Sequence, residues 1–261
     1  MRPPRLLLAL VACLLAATPA ACTGDDSSAP PPRGEGEVEG VITVFAASSL
    51  TEAFTRMGRD FERENPGTTV RFSFGGSSTL AQQIIEGAPV DVFAAADPAT
   101  MNDVQEAEQA GEPTVFARNR LQIAVPAGNP GDVRGLRDLA DPSLAVALCA
   151  PEVPCGSAAQ RAFDSAGVEP AADTLEQDVK AVLSKVEMDE VDAGLVYHTD
   201  VLASGKGVQG IVFPEAADAI NDYPVVTLTN APNVVAGRAF VDYVRSPEGQ
   251  STLVRAGFER P

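Results

Sequence analysis

From residue 41 onward, short apolar runs alternate with segments in which apolar residues recur at helical spacing. Residues 41–45 have the pattern of a buried strand, and a helical pattern follows over residues 50–61. The same unit recurs twice, with strands predicted at residues 70–74 and 90–94. Because parallel strands are joined by crossovers that are usually helices, this alternation predicts an α/β fold whose sheets are mostly parallel.

The alternation starts again at residue 144, which predicts a second lobe. A strand at residues 144–148 is followed by a loop and by a helix around Phe163 that ends at Gly167, and another strand is predicted at residues 193–197. A chain of 261 residues is long enough for two such lobes. The predicted division places residues 41–120 and 227–261 in lobe 1 and residues 121–226 in lobe 2, with the hinge strands near residues 121–125 and 224–228.

The charge balance argues against nucleic acid as a partner. The chain has 36 acidic and 19 basic side chains and a formal net charge of −17 at pH 7. Such a field repels phosphate backbones and anionic lipid surfaces. Salt screens this field over about 10 Å, so a small anion can still bind where local backbone dipoles outweigh the distant charges.

The N-terminus has the architecture of a secretory signal. Arg2 and Arg5 precede the apolar run at residues 6–17, and small residues lead to Cys22. We predict a lipoprotein signal peptide over residues 1–22 with lipidation at Cys22, followed by a flexible tether over residues 23–40. The protein is then anchored on the extracytoplasmic face of the cell membrane, in the periplasm or at the cell surface, and touches the membrane only through that anchor.

Two alternatives to lipidation at Cys22 remain at this point. Residues 10–13 fit the lipoprotein processing pattern more closely, but a site at Cys13 would leave only residues 6–10 as the apolar core of the signal, which is too short. Plain secretion without a lipid is the other alternative. No apolar run after the signal is long enough to span a membrane.

Two cysteines remain after the signal is removed, Cys149 and Cys155. An exported compartment permits a disulfide between them, and a metal site is disfavoured because no histidine or further cysteine lies nearby in the sequence. Closing so short a loop stabilises the fold by about 2 kcal/mol in the chain-entropy model. The predicted disulfide therefore shapes a loop more than it holds the fold together.

Four loops each stand immediately before a predicted helix, at residues 46–49, 75–78, 154–156 and 178–179. In open α/β sheets, ligands bind beyond the carboxyl ends of the strands, where such loops meet helix N-termini. Helix N-termini carry partial positive charge and free N–H groups, so several of them together can bind an anion without lysine or arginine. Ser49, with Glu52 three residues later, has the pattern of a capping box. An ordinary helix N-cap is the alternative role for Ser49 and Ser77.

Several separated segments resemble the molybdate-binding proteins of ABC importers, a branch of the periplasmic binding protein superfamily with the type II fold. The resemblance runs from about residue 41 to residue 258. Its segments are residues 44–51 (VFAASSLT), 74–81 (FGGSSTLA), 87–93 (GAPVDVF), 151–156 (PEVPCG), 178–179 (DV), 194–197 (GLVY) and 213–215 (FPE). The chain is therefore expected to have two lobes with the ligand in the cleft between them.

The resemblance also implies a ligand set and partners. Carried over position by position, the oxyanion ligands are the hydroxyls and amides of Ser49 and Ser77, the amides of Cys155 and Val179, and the hydroxyl of Tyr197. A small residue such as alanine is more familiar at the position of Cys155, but an amide donor depends little on its side chain. The implied ligand is molybdate or tungstate, with molybdenum bound only as the oxyanion and without a cation ligand, and the implied partner is an ABC transporter permease. No cofactor and a monomeric state are expected.

A site made only of hydrogen-bond donors discriminates between anions by their protonation. A fully deprotonated dianion only accepts hydrogen bonds, whereas phosphate near neutral pH keeps a proton that would lack an acceptor in a site made of donors. Sulfate is also a pure acceptor, and it stays the main alternative ligand.

A ferric site would need tyrosine pairs and carboxylates, and the chain has three tyrosines. A serine hydrolase would need a base, but no Gly-x-Ser-x-Gly setting surrounds Ser49 or Ser77, so we expect no enzyme and no role in the site for His198, the single histidine.

Overall fold

The structure is a computed structural model that describes residues 38–261. The predicted signal peptide, the lipidation site at Cys22 and the tether up to residue 37 lie outside these residues. The strands are β1 (Gly40–Ala47), β2 (Thr68–Gly75), β3 (Val92–Ala94), β4 (Thr114–Asn119), β5 (Leu121–Pro126), β6 (Val146–Cys149), β7 (Thr174–Glu176), β8 (Ala193–Tyr197), β9 (Val208–Ile211) and β10 (Asn221–Thr227). The helices are α1 (Thr51–Glu64), α2 (Ser77–Ile85), α3 (Pro98–Glu106), α4 (Pro154–Ala166), α5 (Val179–Glu187), α6 (His198–Ser204), α7 (Val234–Arg245) and α8 (Pro247–Arg255).

The described strands form two sheets of five, which confirms the predicted α/β fold with two lobes. The first sheet has the order β2-β1-β3-β10-β4, and the second has the order β7-β6-β8-β5-β9. In each sheet three consecutive strands are parallel, and the strand that follows a crossing between the lobes, β10 or β5, is antiparallel to both of its neighbours. The parallel strands point their carboxyl ends toward the other lobe, as the predicted loops require.

The second crossing lies earlier in the chain than the sequence predicts. Strand β10 pairs with β3 and β4 in the first sheet, and its first residue, Asn221, is in register with Asn119. The predicted end of lobe 2 at residue 226 therefore lies too far along the chain, because β10 begins at Asn221 and belongs to the sheet of lobe 1. An apolar run shows that a strand is buried, but it does not show which of two sheets the strand joins.

Each lobe has its own apolar core. The core of the second lobe is formed by side chains of β5, β6, β8, α4 and α5. In the first lobe, α1, α7 and α8 pack on one side of the sheet around Phe54, Phe61 and Phe240, and α2 and α3 pack on the other. Within residues 38–261, no helix combines the length and the apolar character needed to cross a membrane.

Local signals at helix N-termini decide where the site loops end. Asp97 caps α3 through the amide of Thr100, with Pro98 in the first position, and Asp178 caps α5 through the amides of Lys180 and Ala181. The capping box predicted for Ser49 and Glu52 is wrong: residues Ser48–Leu50 form a 3-10 turn, and α1 starts after Leu50 without a side-chain cap. Ser49 is instead hydrogen-bonded to a tyrosine of another strand, as described below.

Candidate functional site

A small cavity lies between the lobes at the carboxyl ends of the parallel strands. Its volume is about 10 Å³. The cavity admits a compact ligand of a few heavy atoms and is far smaller than the usual site for an organic molecule. The residues that line it are Ala47, Ser48, Ser49, Gly75, Gly76, Ser77, Ala96, Val153, Pro154, Cys155, Asp178, Val179 and Tyr197.

All five positions predicted for the ligand lie at this cavity, and they come from both lobes. Ser49 follows β1 and Ser77 begins α2 in the first lobe. Cys155 lies in the first turn of α4, Val179 begins α5, and Tyr197 ends β8 in the second lobe. The cavity thus collects the N-termini of three helices, α2, α4 and α5, whose first amide groups have no partner within the helix.

The hydroxyl of Ser77 is held as a hydrogen-bond donor toward the cavity. The backbone N–H of Ala96 donates to Ser77 Oγ at 3.0 Å, and Ser77 is 1% exposed. A hydroxyl that already accepts a bond from a fixed amide keeps its own proton free for another acceptor. Ser77 is therefore more than an ordinary N-cap, since Gly76 occupies the N-cap position of α2.

Gly76 is required by a close approach of the two lobes. A Cβ atom built on Gly76 would lie 2.3 Å from the carbonyl oxygen of Gln177, which belongs to the second lobe. This distance is far below any ordinary contact, so only glycine lets the two backbones meet here. On the same rim, Ser78 donates its hydroxyl to the carbonyl of Glu152 across the cleft at 2.8 Å.

Two buried tyrosines lie side by side near the cavity, Tyr197 in its lining and Tyr223 behind Ser49. Ser49 Oγ lies 2.9 Å from the hydroxyl of Tyr223, and the rings of Tyr197 and Tyr223 pack edge to face with centroids 6.0 Å apart. Asn221 donates from Nδ2 to the Tyr197 hydroxyl at 2.8 Å. Burial raises the pKa of Tyr197 well above its usual value and also raises that of Tyr223, so both hydroxyls stay protonated at neutral pH.

The loop that carries Cys155 is fixed by a disulfide and by a glycine. A disulfide joins Cys149, at the end of β6, to Cys155, in the first turn of α4. The pairing predicted from the exported compartment is thus present in the structure. A Cβ atom on Gly156 would meet the carbonyl oxygen of Ala150 at 1.8 Å, so the turn closes tightly on itself. Both features hold the start of α4 against the cavity.

The cavity lining contains no lysine, arginine or histidine, and Asp178 is its single carboxylate. Asp178 Oδ1 accepts hydrogen bonds from the amides of Lys180 and Ala181, at 2.8 and 3.1 Å, so its charge is engaged by the helix it caps. The local field at the cavity therefore comes from helix N-termini and oriented hydroxyls. These groups can satisfy a ligand that accepts hydrogen bonds on all sides.

A cluster of three charged side chains links the lobes beside the cavity. Lys180 Nζ, in the first turn of α5, lies 2.8 Å from Glu52 Oε1 of α1 and 3.1 Å from Oδ1 of Asp200. Asp200 is fully buried, and this desolvation raises its pKa to about 6 in spite of Lys180 and of the amide of Tyr197, which both lower it. The pair formed by Glu52 and Lys180 crosses between the lobes.

Sequence reasoning missed Tyr223, Asn221 and the pair of Glu52 and Lys180. Tyr223 lies in a strand that was recognised only by its apolar run, and its contact with Ser49 joins residues 174 positions apart. The polar pair Asn221 and Asp222 at the start of this strand is the available signal, because a buried strand rarely begins with two polar residues unless they have partners. His198 is not among the residues that line the cavity.

Two α/β lobes that close over one small cavity without a cationic side chain define a binding protein for a small solute rather than an enzyme. The sequence profile of the bacterial extracellular solute-binding proteins matches residues 42–259 of this chain. The molybdate-binding protein ModA of Mycobacterium tuberculosis is 42% identical over 262 aligned positions and is covered completely, as is this chain. The ModA protein of Escherichia coli K12 is 36% identical over 235 positions, which cover 84% of this chain and 89% of that protein. The chain therefore belongs to the bacterial extracellular solute-binding protein family, together with the ModA proteins.

Solved structures support the same fold. The periplasmic molybdate-binding protein of Azotobacter vinelandii has a TM-score of 0.75 at 20% identity, covering 84% of this chain and 99% of that one. The sulfate-binding protein SubI of Mycobacterium tuberculosis has a TM-score of 0.73 at 17% identity, covering 85% of this chain and 87% of that one. At these identities the likeness concerns the fold alone, which is the two-lobed α/β fold described above.

Proposed function

We propose that this protein captures molybdate, and also tungstate, between its lobes outside the cytoplasm and delivers the anion to an ABC importer. The observation that carries the proposal is the meeting of Ser49, Ser77, Cys155, Val179 and Tyr197 at one small cavity whose lining has no cationic side chain. The relatives named ModA support molybdate as the ligand.

The chemistry of the cavity favours a fully deprotonated dianion. The hydroxyls of Ser49, Ser77 and Tyr197 and the free amides of helix N-termini offer hydrogen-bond donors, and the carboxylate of Asp178 is directed to its own helix. Hydrogen bonds to charged groups contribute about 1.5–3 kcal/mol each, so a handful of them suffices for sub-micromolar binding even after desolvation of the anion. A protonated oxyanion such as hydrogen phosphate would leave its O–H without an acceptor, at a cost of about 1–3 kcal/mol.

Sulfate is the second candidate ligand, since it has the same charge and shape and differs in size. The likeness to a sulfate-binding protein is one of fold and at 17% identity does not favour sulfate for this chain. Isothermal titration of the mature protein with molybdate, tungstate, sulfate and phosphate separates the candidates. We expect one-to-one binding of the first two at sub-micromolar concentration, with sulfate weaker by at least tenfold; equal binding of sulfate would reassign the ligand.

Membrane attachment belongs to the same proposal. We propose that the protein acts as a monomer, tethered through a lipid on Cys22, that presents its closed form to a permease. Metabolic labelling with a radioactive fatty acid tests the anchor: wild type should be labelled and Cys22→Ser should not. Labelling that survives Cys22→Ser and is lost in Cys13→Ser would move the anchor to Cys13, and a protein that is unlabelled and released to the medium is simply secreted.

A further inference from the structure

We propose that Asn221 is a positioning residue that turns the proton of the Tyr197 hydroxyl away from itself, so that a proton reaches the bound anion either directly from Tyr197 or through Tyr223 and Ser49. The inference deepens the proposed function and rests on it. Asn221 is the first residue of β10, at the point where the chain returns to the first lobe, and it is 2% exposed. It does not line the cavity but lies behind Tyr197, which does.

The side chain of Asn221 has three polar neighbours. Its Nδ2 lies 2.8 Å from the Tyr197 hydroxyl and 3.2 Å from the carbonyl oxygen of Pro154, and its Oδ1 lies 2.5 Å from Nη2 of Arg161. A carbonyl oxygen can only accept hydrogen bonds, and a guanidinium can only donate them. If the amide were flipped, Oδ1 of Asn221 would face the carbonyl oxygen of Pro154, and Nδ2 of Asn221 would face Nη2 of Arg161. Neither pair of atoms could form a hydrogen bond. The orientation of the amide is therefore fixed by chemistry.

The fixed amide determines what Tyr197 does. Because Asn221 donates to it, the Tyr197 hydroxyl is an acceptor on that side, and its single proton must be directed elsewhere. The proton stays on the oxygen because burial holds the pKa of Tyr197 well above its usual value. The remaining directions are the cavity and the neighbouring Tyr223.

Both remaining directions deliver a proton to the cavity. A proton aimed at the cavity is donated to the anion directly. A proton aimed at Tyr223 makes that hydroxyl an acceptor, so that Tyr223 donates to Ser49 and the Ser49 proton faces the cavity. Ser77 is oriented in the same sense by the amide of Ala96. Two hydroxyls of the site, those of Ser77 and Tyr197, thus accept from N–H donors behind them and keep their own protons for an anion that only accepts.

Asn221→Asp tests the role, since it changes almost no volume and keeps an oxygen for Arg161. The second carboxylate oxygen, however, is an acceptor facing Tyr197, so the hydroxyl turns to it and the anion loses a donor. We expect the dissociation constant for molybdate, measured by isothermal titration, to rise at least about tenfold. Asn230→Asp is the charge control, because it adds the same charge at an exposed position outside the cavity lining and should change binding less than about twofold.

A double-mutant cycle separates this role from a general loss of structure. In a Tyr197→Phe background there is no hydroxyl to redirect, so Asn221→Asp should weaken molybdate binding by much less than in the wild-type background. Equal weakening in both backgrounds would overturn the inference. If wild type itself does not bind molybdate, the proposed function fails instead, and the two failures are distinguishable.

A neutron diffraction structure of the wild-type protein with molybdate, grown in heavy water, tests the same point without a substitution. Deuterons of Asn221 Nδ2 directed at Tyr197, with the Tyr197 deuteron directed at an anion oxygen or at Tyr223, would support the inference. A Tyr197 deuteron directed at Asn221 would overturn it, and this measurement also decides the matter if Asn221→Asp does not fold.

Discussion

Gly76→Ala should weaken ligand binding without destabilising either lobe. The added Cβ would lie 2.3 Å from the carbonyl oxygen of Gln177, about 1 Å short of a tolerable contact, and the obstacle is backbone rather than a flexible side chain. The clash crosses the cleft, so it exists only when the lobes are closed. Overpacking of this kind costs about 1–3 kcal/mol, which corresponds to a dissociation constant raised roughly 5- to 150-fold.

The assay is isothermal titration with molybdate, together with thermal unfolding of the ligand-free protein. Gly75→Ala is the matched comparison, because its Cβ would meet only the side chain of Leu80 at an ordinary 3.7 Å, and it should weaken binding less. Small-angle scattering should show that Gly76→Ala compacts less than wild type when ligand is added. Unchanged affinity, or an unfolding temperature lowered without ligand, would show that the contact does not govern closure.

Three further predictions follow from the site. Replacing both Cys149 and Cys155 by serine should lower the free energy of unfolding by about 2 kcal/mol in chemical denaturation and should also weaken molybdate binding, because the start of α4 loses its tie to β6. Glu52→Gln should weaken binding by less than about 1 kcal/mol in isothermal titration, since its ion pair with Lys180 crosses the lobes but is half exposed on the glutamate side. Burial raises the pKa of Asp200 to about 6, so the native state binds the proton of this carboxyl group more tightly than the unfolded chain does. The unfolding free energy of wild type, measured relative to Asp200→Asn, should therefore fall as the pH rises from about 4 to about 6. A difference that stays flat or rises across this pH range would contradict the assignment.

The site was predictable from sequence where the signal was local. Asp97 and Asp178 show such local signals, because each caps a helix through amides two or three positions further along the chain. The five ligand positions were implied by the resemblance to the molybdate-binding proteins, and the structure brings these five residues to one cavity. Ser49 shows the limit of this reasoning, since its apparent local cap is replaced by a bond to Tyr223 from a distant strand.

The amino-acid sequence by itself determined the alternation of strands and helices, the loops that line the cavity and the pairing of two cysteines, because these depend on periodicity, on neighbours along the chain and on composition. Only the tertiary structure decided that β10 returns to the first sheet, that Gly76 meets Gln177 across the cleft and that Asn221 stands behind Tyr197. These contacts join residues far apart in the chain, and their partners are chosen by the packing of two lobes against each other. No local sequence pattern specifies these partners, because the same residues are compatible with a strand in either sheet and with a polar side chain that contacts either lobe.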